Sequence, residues 1–192
     1  MRKAALFTLW SLAWAASASA LAAETWTVDP VHSTAQFTAR HFGIVPVIGT
    51  IPIVKASVQL NSGSQIPVTV SASLDASKLD TRNDMRDSDL RSDHFFNASA
   101  TPTIEFVSTK IVGTDPAHFT IAGNLTMHGQ THPVSLDARV LASGKSPRGR
   151  PIIAYAARGT IDRTQWGMTY GAVVVSNNID LSIDVEADGP QP

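Results

Sequence analysis

The strictest constraint on this chain is an alternation of apolar and polar residues with a period of two. Phe119, Ile121, Gly123, Leu125 and Met127 form one uninterrupted face, and Ile179, Leu181, Ile183 and Val185 form another, opposite Asp180, Ser182, Asp184 and Glu186. Successive side chains on a strand point to opposite faces, so this pattern sets one face on a core and the other in water. It recurs in Ser33 to His41 (Ala35, Phe37, Ala39), Val68 to Leu74 (Val70, Ala72, Leu74), Thr103 to Ile111 (Ile104, Phe106), Val134 to Val140 and Ile153 to Ala157. Ile48 to Leu60 reads as a strand interrupted near Pro52, because proline cannot donate to a ladder. Thr25 to Val28 is a short apolar segment stopped by Asp29-Pro30. Turn sequences lie between these runs, at Asn61 to Ser64, Gly113 to Pro116, His128 to Thr131 and Ser143 to Arg150. Arg163 to Asn177 is irregular and aromatic.

Roughly eight strands at hairpin spacing, with no β–α–β rhythm, predict an all-β antiparallel fold with one wet face. Such strands either close as an up-and-down barrel or stack as a sandwich. Small inward residues (Ala35, Ala39, Ala72, Gly123 and Ala138 among Phe37, Phe106, Phe119 and Met127) leave volume and favour a barrel that holds a ligand. The alternative is that they fit the taper of a filled core.

One stretch does not alternate. Thr81 to Phe96 carries Arg82, Asp84, Arg86, Asp87, Asp89, Arg91 and Asp93, with Met85 and Leu90 as its only apolar residues before His94, Phe95 and Phe96. Thr81 followed by Asp84 is a weak capping box, so the run reads as a short charged helix with an aromatic end. Its charges are expected to pair as Arg–Asp ion pairs on a solvated surface. Its aromatic end is placed to close a cavity.

The N-terminus has the form of a secretory leader: Arg2 and Lys3, an apolar core over Ala4 to Ala16, and small residues before Ala20 or Ala22. We expect residues 1–22 to be a signal peptide and 23–192 a single domain in the periplasm. The apolar core is short for a span, which needs about 20 residues, so no integral membrane span is expected after cleavage. The absence of cysteine means that packing, not disulfides, must stabilise an exported chain. A net charge of -1 and the lack of a basic stripe argue against nucleic acid and against anionic membrane surfaces held by charge.

Several motifs then occur in order. They are Trp26-x-Val28-Asp29-x-x-His32-Ser33, His41-Phe42-Gly43, Asp89-Leu90-Arg91-Ser92-Asp93-His94-Phe95-Phe96 and Pro102-x-Ile104-x-Phe106. Gly123-x-Leu125-x-Met127-x-Gly129-x-Thr131-x-Pro133-Val134 and Arg163-x-x-Trp166-Gly167-Met168 follow. In order and spacing they resemble the YceI-like family of periplasmic proteins. The resemblance covers nearly the whole chain after the leader. It implies an eight-stranded antiparallel lipocalin-like β-barrel with a short helical insert capping one end. It also implies a non-catalytic role binding a long isoprenoid lipid, a polyprenyl phosphate or an isoprenoid quinone, and in some members a homodimer. Two departures stand out. Ile44 to Val54 carries Pro46 and Pro52 where the family runs from a glycine into a strand, and Trp166 stands where phenylalanine is usual.

On that reading the candidate lipid contacts are Phe37, Phe106, Phe119, Leu125 and Met127 from strands, and Phe42, Phe95, Phe96, Trp166 and Met168 from the irregular ends. Arg163 is the candidate head-group contact, since a phosphate would want arginine. No cofactor, metal ligand set or catalytic residue is assigned. The alternatives are an interaction module of sandwich or barrel form without lipid, and a metal-dependent enzyme built on the scattered histidines, of which His128 and His132 lie four apart. A Ser/His/Asp hydrolase lacks the G-x-S-x-G elbow.

Overall fold

The structure, a computed structural model, describes residues 23–191; the expected signal peptide lies outside them. Nine strands run β1 (Glu24–His41), β2 (Val45–Thr50), β3 (Ile53–Leu60), β4 (Pro67–Asp75), β5 (Thr103–Asp115), β6 (His118–Met127), β7 (Gln130–Lys145), β8 (Pro151–Asp162) and β9 (Asn178–Asp188). One α-helix, α1 (Asp84–Arg91), lies between β4 and β5. All pairings are antiparallel neighbours in sequence, except that β1 also pairs with β3 and with β9. The pairing of β1 with β9 closes the sheet into a barrel.

The nine strands fill eight places in the wall. β1 pairs with β2 through Gln36 to His41 and with β3 through Glu24 to Thr27, so β2 and β3 share one side of it. The joint between them is Ile51-Pro52. Ile51 donates its N–H to the Ala35 carbonyl, and the Pro52 carbonyl accepts from the Asp75 N–H. Proline costs one ladder bond, and the chain bends there without leaving the wall. Three wall positions therefore precede α1 and five follow it.

β1 is longer than its sequence suggests. Asp29-Pro30 does not end a segment; it sits in a bulge, with the register to β9 shifting between Asp29 and Thr34. An inserted bulge bends a strand without ending its pairing. The β6–β7 connection tightens to His128-Gly129, both at positive φ (51° and 72°). That is the conformation which matches the twist of a hairpin.

Chain direction sorts the loops into two ends. One end carries the β1–β2 turn, the long β4–β5 insert with α1, the β6–β7 turn and the 163–177 segment. The other carries the short loops at 61–66, 116–117 and 146–150. The outer wall mixes charged residues with single aliphatics such as Val54 and Val107: Glu105, Asp137, Arg139, Asp180 and Asp184 face out, and Arg158 is bonded to both oxygens of Asp184 at 2.8 and 3.0 Å. A barrel that spanned a membrane would need an apolar outer band. Among the described residues no helix is long and apolar enough to cross a membrane.

Two glycines set how closely aromatic rings lie on the wall. A Cβ at Gly49 would collide with the ring of Phe37, its partner across β1–β2, and one at Gly123 would collide with the ring of Phe106 and come within 2.7 Å of the Val107 carbonyl oxygen. The glycines are the floor on which the rings lie. Gly123→Ala should therefore cost about 1–3 kcal/mol by overpacking, read as a fall of several degrees in Tm. An unchanged Tm would show that Phe106 can move away freely.

Candidate functional site

The inward face encloses a cavity running most of the length of the barrel. About 230 Å³ is open to the centre of a water-sized sphere. One water needs roughly 10–15 Å³ on that measure, so this is far more than a packing defect. The cavity extends from Pro67 and Tyr155 near one end to Leu90, Phe95, Phe96 and Met168 under the cap. Ala35, Ala39, Ala72 and Ala138 all line it, so the small residues leave space as expected. Gly123 does not; the Phe106 ring fills its place.

Phe37, Phe95, Phe96, Phe106, Leu125, Met127 and Met168 line the cavity. Three other expected residues stand outside it. Phe42 is 60% exposed at the tip of the β1–β2 turn, with φ 51°, its ring tilted against that of His41. Period-two counting places it with Thr38 and Arg40, on the face opposite Ala39, and the turn keeps its ring in solvent. Phe119 is buried at the far end of β6, where it packs against Gly113 in the core and not on the cavity wall. Trp166 is buried behind the wall: its indole N–H donates to the Leu125 carbonyl at 3.0 Å and its ring meets His132 edge-on. Its size relative to phenylalanine therefore does not shorten the cavity.

Leu90 and Tyr155 belong to the wall and were missed. Leu90 is the residue of α1 that lines the cavity, while Met85, the other apolar residue of the helix, is exposed, so apolar character alone does not mark the inward position. Tyr155 was legible as an inward residue of β8 but not as part of a site. Its hydroxyl donates to the Gln65 carbonyl at 2.9 Å, and burial pushes the phenol well above its usual range, so it stays neutral.

Arg163 is the buried cation of the cap. Nε donates to the Ser176 carbonyl at 3.0 Å, Nη1 to those of Met168 and Tyr170 at 2.5 and 2.9 Å, and Nη2 to that of Val175 at 3.2 Å. The guanidinium also lies over the Phe95 ring, 5.7 Å from its centroid. No carboxylate among the described residues forms an ion pair with it. Burial lowers its pKa from the ordinary arginine value, and the neighbouring Asp162 opposes that. Its donors are spent on the 168–176 loop, so its first role is to hold the cap.

The charged run behaves differently from its expected ion pairing. The N-cap of α1 is Asn83, whose side chain accepts from the Arg86 N–H at 3.0 Å. Thr81 is not the cap. It is buried with Asp87, and both its N–H and its hydroxyl donate to the Asp87 carboxylate. Arg86 donates to the Thr81 hydroxyl and carbonyl, each at 2.7 Å, and Arg91 to the Leu79 carbonyl at 3.3 Å. The arginines therefore bond to backbone and hydroxyl oxygens and not to the aspartates of their own helix. Beyond α1, Phe95 and Phe96 enter the barrel while His94 stays outside, stacked on Tyr170 at 4.1 Å.

The histidines do not converge. His128 Nδ1 bonds the Trp166 carbonyl at 2.7 Å, His132 packs on Trp166, His94 on Tyr170 and His41 on Phe42. Among the described residues the one group with metal-ligand spacing is Asp29, His32 and Glu186, on the outer wall. The Asp29 carboxylate raises the His32 pKa and is itself lowered by the imidazole.

The comparisons with known proteins agree with this architecture. Residues 26–187 match the YceI-like domain. A UPF0312 protein of Pectobacterium atrosepticum is 32% identical over 188 residues, 97% of each chain. Protein YceI of Salmonella arizonae is 31% identical over 182 residues, 94% of each. The chain belongs to the YceI-like family. Among solved structures, BcnA of Burkholderia cenocepacia superposes with a TM-score of 0.73 at 18% identity, over 83% of this chain and 98% of that one. A polyisoprenoid binding domain from Saccharophagus degradans superposes with a TM-score of 0.58 at 12% identity, over 86% and 98%.

Removing the guanidinium would strand four carbonyls under the cap. Arg163→Ala should destabilise the protein by roughly 3 kcal/mol, lowering Tm by about 6–12 °C. Arg158→Ala, which breaks a half-exposed ion pair, should cost less than about 1 kcal/mol. Similar Tm values for the two variants would refute the pinning role.

Proposed function

We propose that this protein binds a long isoprenoid lipid inside the barrel and holds it for storage, transport or protection, without catalysing a reaction on it. The observation that carries the reading is the cavity itself: long, almost wholly apolar, and closed at both ends by groups whose polar atoms are already bonded. Tyr155 is committed to Gln65 and Arg163 to four carbonyls. A chain with many carbons and few polar handles suits such walls. Its binding would be driven by removing apolar area from water, about 25 cal/mol per Å², less the cost of association. Membership of the YceI-like family and the likeness to a polyisoprenoid binding domain support this choice of ligand.

The ligand contacts on this reading are Phe37, Phe95, Phe96, Phe106, Leu125, Met127 and Met168, with Leu90 added. A quinone or polyprenyl phosphate head would lie at an end of the cavity, beside either Arg163 or Tyr155. The protein would act in the periplasm after loss of residues 1–22, as a single domain over 23–192.

Organic-solvent extraction of the purified protein followed by mass spectrometry should recover an isoprenoid at near-stoichiometric amount. Phe95→Asp, which places a charge in the wall, should retain much less than Asp89→Asn, whose change lies on the exposed face of α1. Equal retention in the two variants would refute a cavity closed by Phe95, and an extract without isoprenoid from the unaltered protein would refute the ligand assignment.

A further inference from the structure

The capped end of the barrel exposes an apolar patch that the lipid reading does not use. The β1–β2 turn and the 170–176 loop are stitched to each other. Phe42 donates its N–H to the Val174 carbonyl at 2.7 Å, Arg40 donates its N–H to the Ser176 hydroxyl at 2.9 Å, and Ser176 donates its N–H to the Arg40 carbonyl at 2.9 Å. His41 bridges Val175. The two loops therefore form one surface. On it Phe42, Ile44, Val45, Tyr170, Val173 and Val174 are exposed, Ile44 by 76% and Val173 by 89%. No Asp, Glu, Lys or Arg occurs from Phe42 to Val54 or from Thr164 to Asn178. Charged residues of α1 lie at the same end, and exposed aliphatics elsewhere, such as Val31, Met85 and Val107, are scattered along separate elements. Six exposed apolar side chains on two joined loops, with no charged residue within either stretch, differ from such single exposed residues and mark an interaction surface.

The same loop has an inner face. Met168 and Val175 line the cavity, and Arg163 ties the carbonyls of Met168, Tyr170, Val175 and Ser176 beneath it. Tyr170 touches both sides of the cap. Its ring is stacked on His94 and meets Phe95, a wall residue, edge-on at 5.7 Å. The patch is thus the outer skin of the cover under which the ligand lies.

We infer that this patch is a docking surface for a lipid bilayer, with the turn at Phe42 to Val45 and the loop at Tyr170 to Val174 entering the interface. The inference rests on the lipid reading for its purpose, since a membrane-resident ligand must enter and leave through a membrane surface. Its chemistry is independent of that reading. A bilayer interface accepts uncharged aliphatic tips and a tyrosine at the head-group level. With a net charge of -1 and no basic cluster beside the patch, attachment is through apolar insertion and not through charge, so it persists at high salt.

The test is flotation of the full-length expressed protein with vesicles of phosphatidylethanolamine and phosphatidylglycerol, at low and high salt. The unaltered protein should rise with the vesicles at both. The double substitution Ile44→Asp, Val173→Asp should lower the bound fraction at least tenfold. Both side chains are exposed, so Tm and the lipid recovered by extraction should be unchanged. An unaltered protein that stays at the bottom, or a double variant that floats equally well, overturns the inference. Self-association abolished by the same substitutions, without flotation, would assign the patch to a second copy of the chain and likewise overturn it. Extraction separates the two ideas: flotation without recoverable isoprenoid refutes the ligand and keeps the surface, and recovery without flotation does the reverse.

Discussion

Closure of the sheet by β1 on β9 is the constraint from which the rest follows. Ala35 opposite Ile183 and Phe37 opposite Leu181 join the first strand to the last. Closure pairs the backbone edges that an open sheet would leave exposed. It also fixes the interior, because the number of strands sets the width and eight leave room that side chains either fill or do not. Here alanines at 35, 39, 72 and 138 leave it partly unfilled. The bulge at Asp29 to Thr34 and the joint at Ile51-Pro52 are the local bends that let the wall close around that space.

A barrel has two open ends, and the chemistry of closing them differs. One is shut by short loops and by Tyr155 bonded to the Gln65 carbonyl. The other needs a long insert, and that insert is held by buried charge. Asp87 collects the donors of Thr81, and Arg163 collects the carbonyls of the 168–176 loop. Each is a single side chain that replaces a missing stretch of regular backbone pairing. A buried charge is tolerated where hydrogen bonds surround it, and both residues meet that condition. The cap is therefore a specific structure, with Phe95 and Phe96 on its inner surface and, on its outer one, the charged face of α1 beside two uncharged loops.

How far the sequence could be read depended on periodicity. Where a strand alternates, an inward position such as Phe106 or Leu125 follows from counting. Phe119 was inward for the same reason, but counting does not say which inward residues meet the cavity and which meet one another. At loops the count loses meaning: Phe42 lies just past the end of β1, in a turn at positive φ, and faces solvent although its apolar ring suggests an inward place. Trp166 and Arg163 lie in a segment with no period at all. Their partners, the Leu125 carbonyl and the carbonyls of the following loop, are chosen by three-dimensional packing. The helix was legible as a helix, but Asn83 and not Thr81 caps it, and its arginines turned to backbone oxygens that the linear pattern does not display.

By itself the sequence determined the antiparallel all-β class, the break at Pro52, the helical insert and the apolar character of the interior. These depend on local rules: a period of two, the missing N–H of proline, and the dense charge of the one stretch that does not alternate. Only the tertiary structure decided that the sheet closes, that two short strands share one place in the wall, that Leu90 and Tyr155 join the cavity, and that Phe42 leaves it. Those outcomes depend on distances between residues far apart in the chain, and alternation alone carries no information about distance.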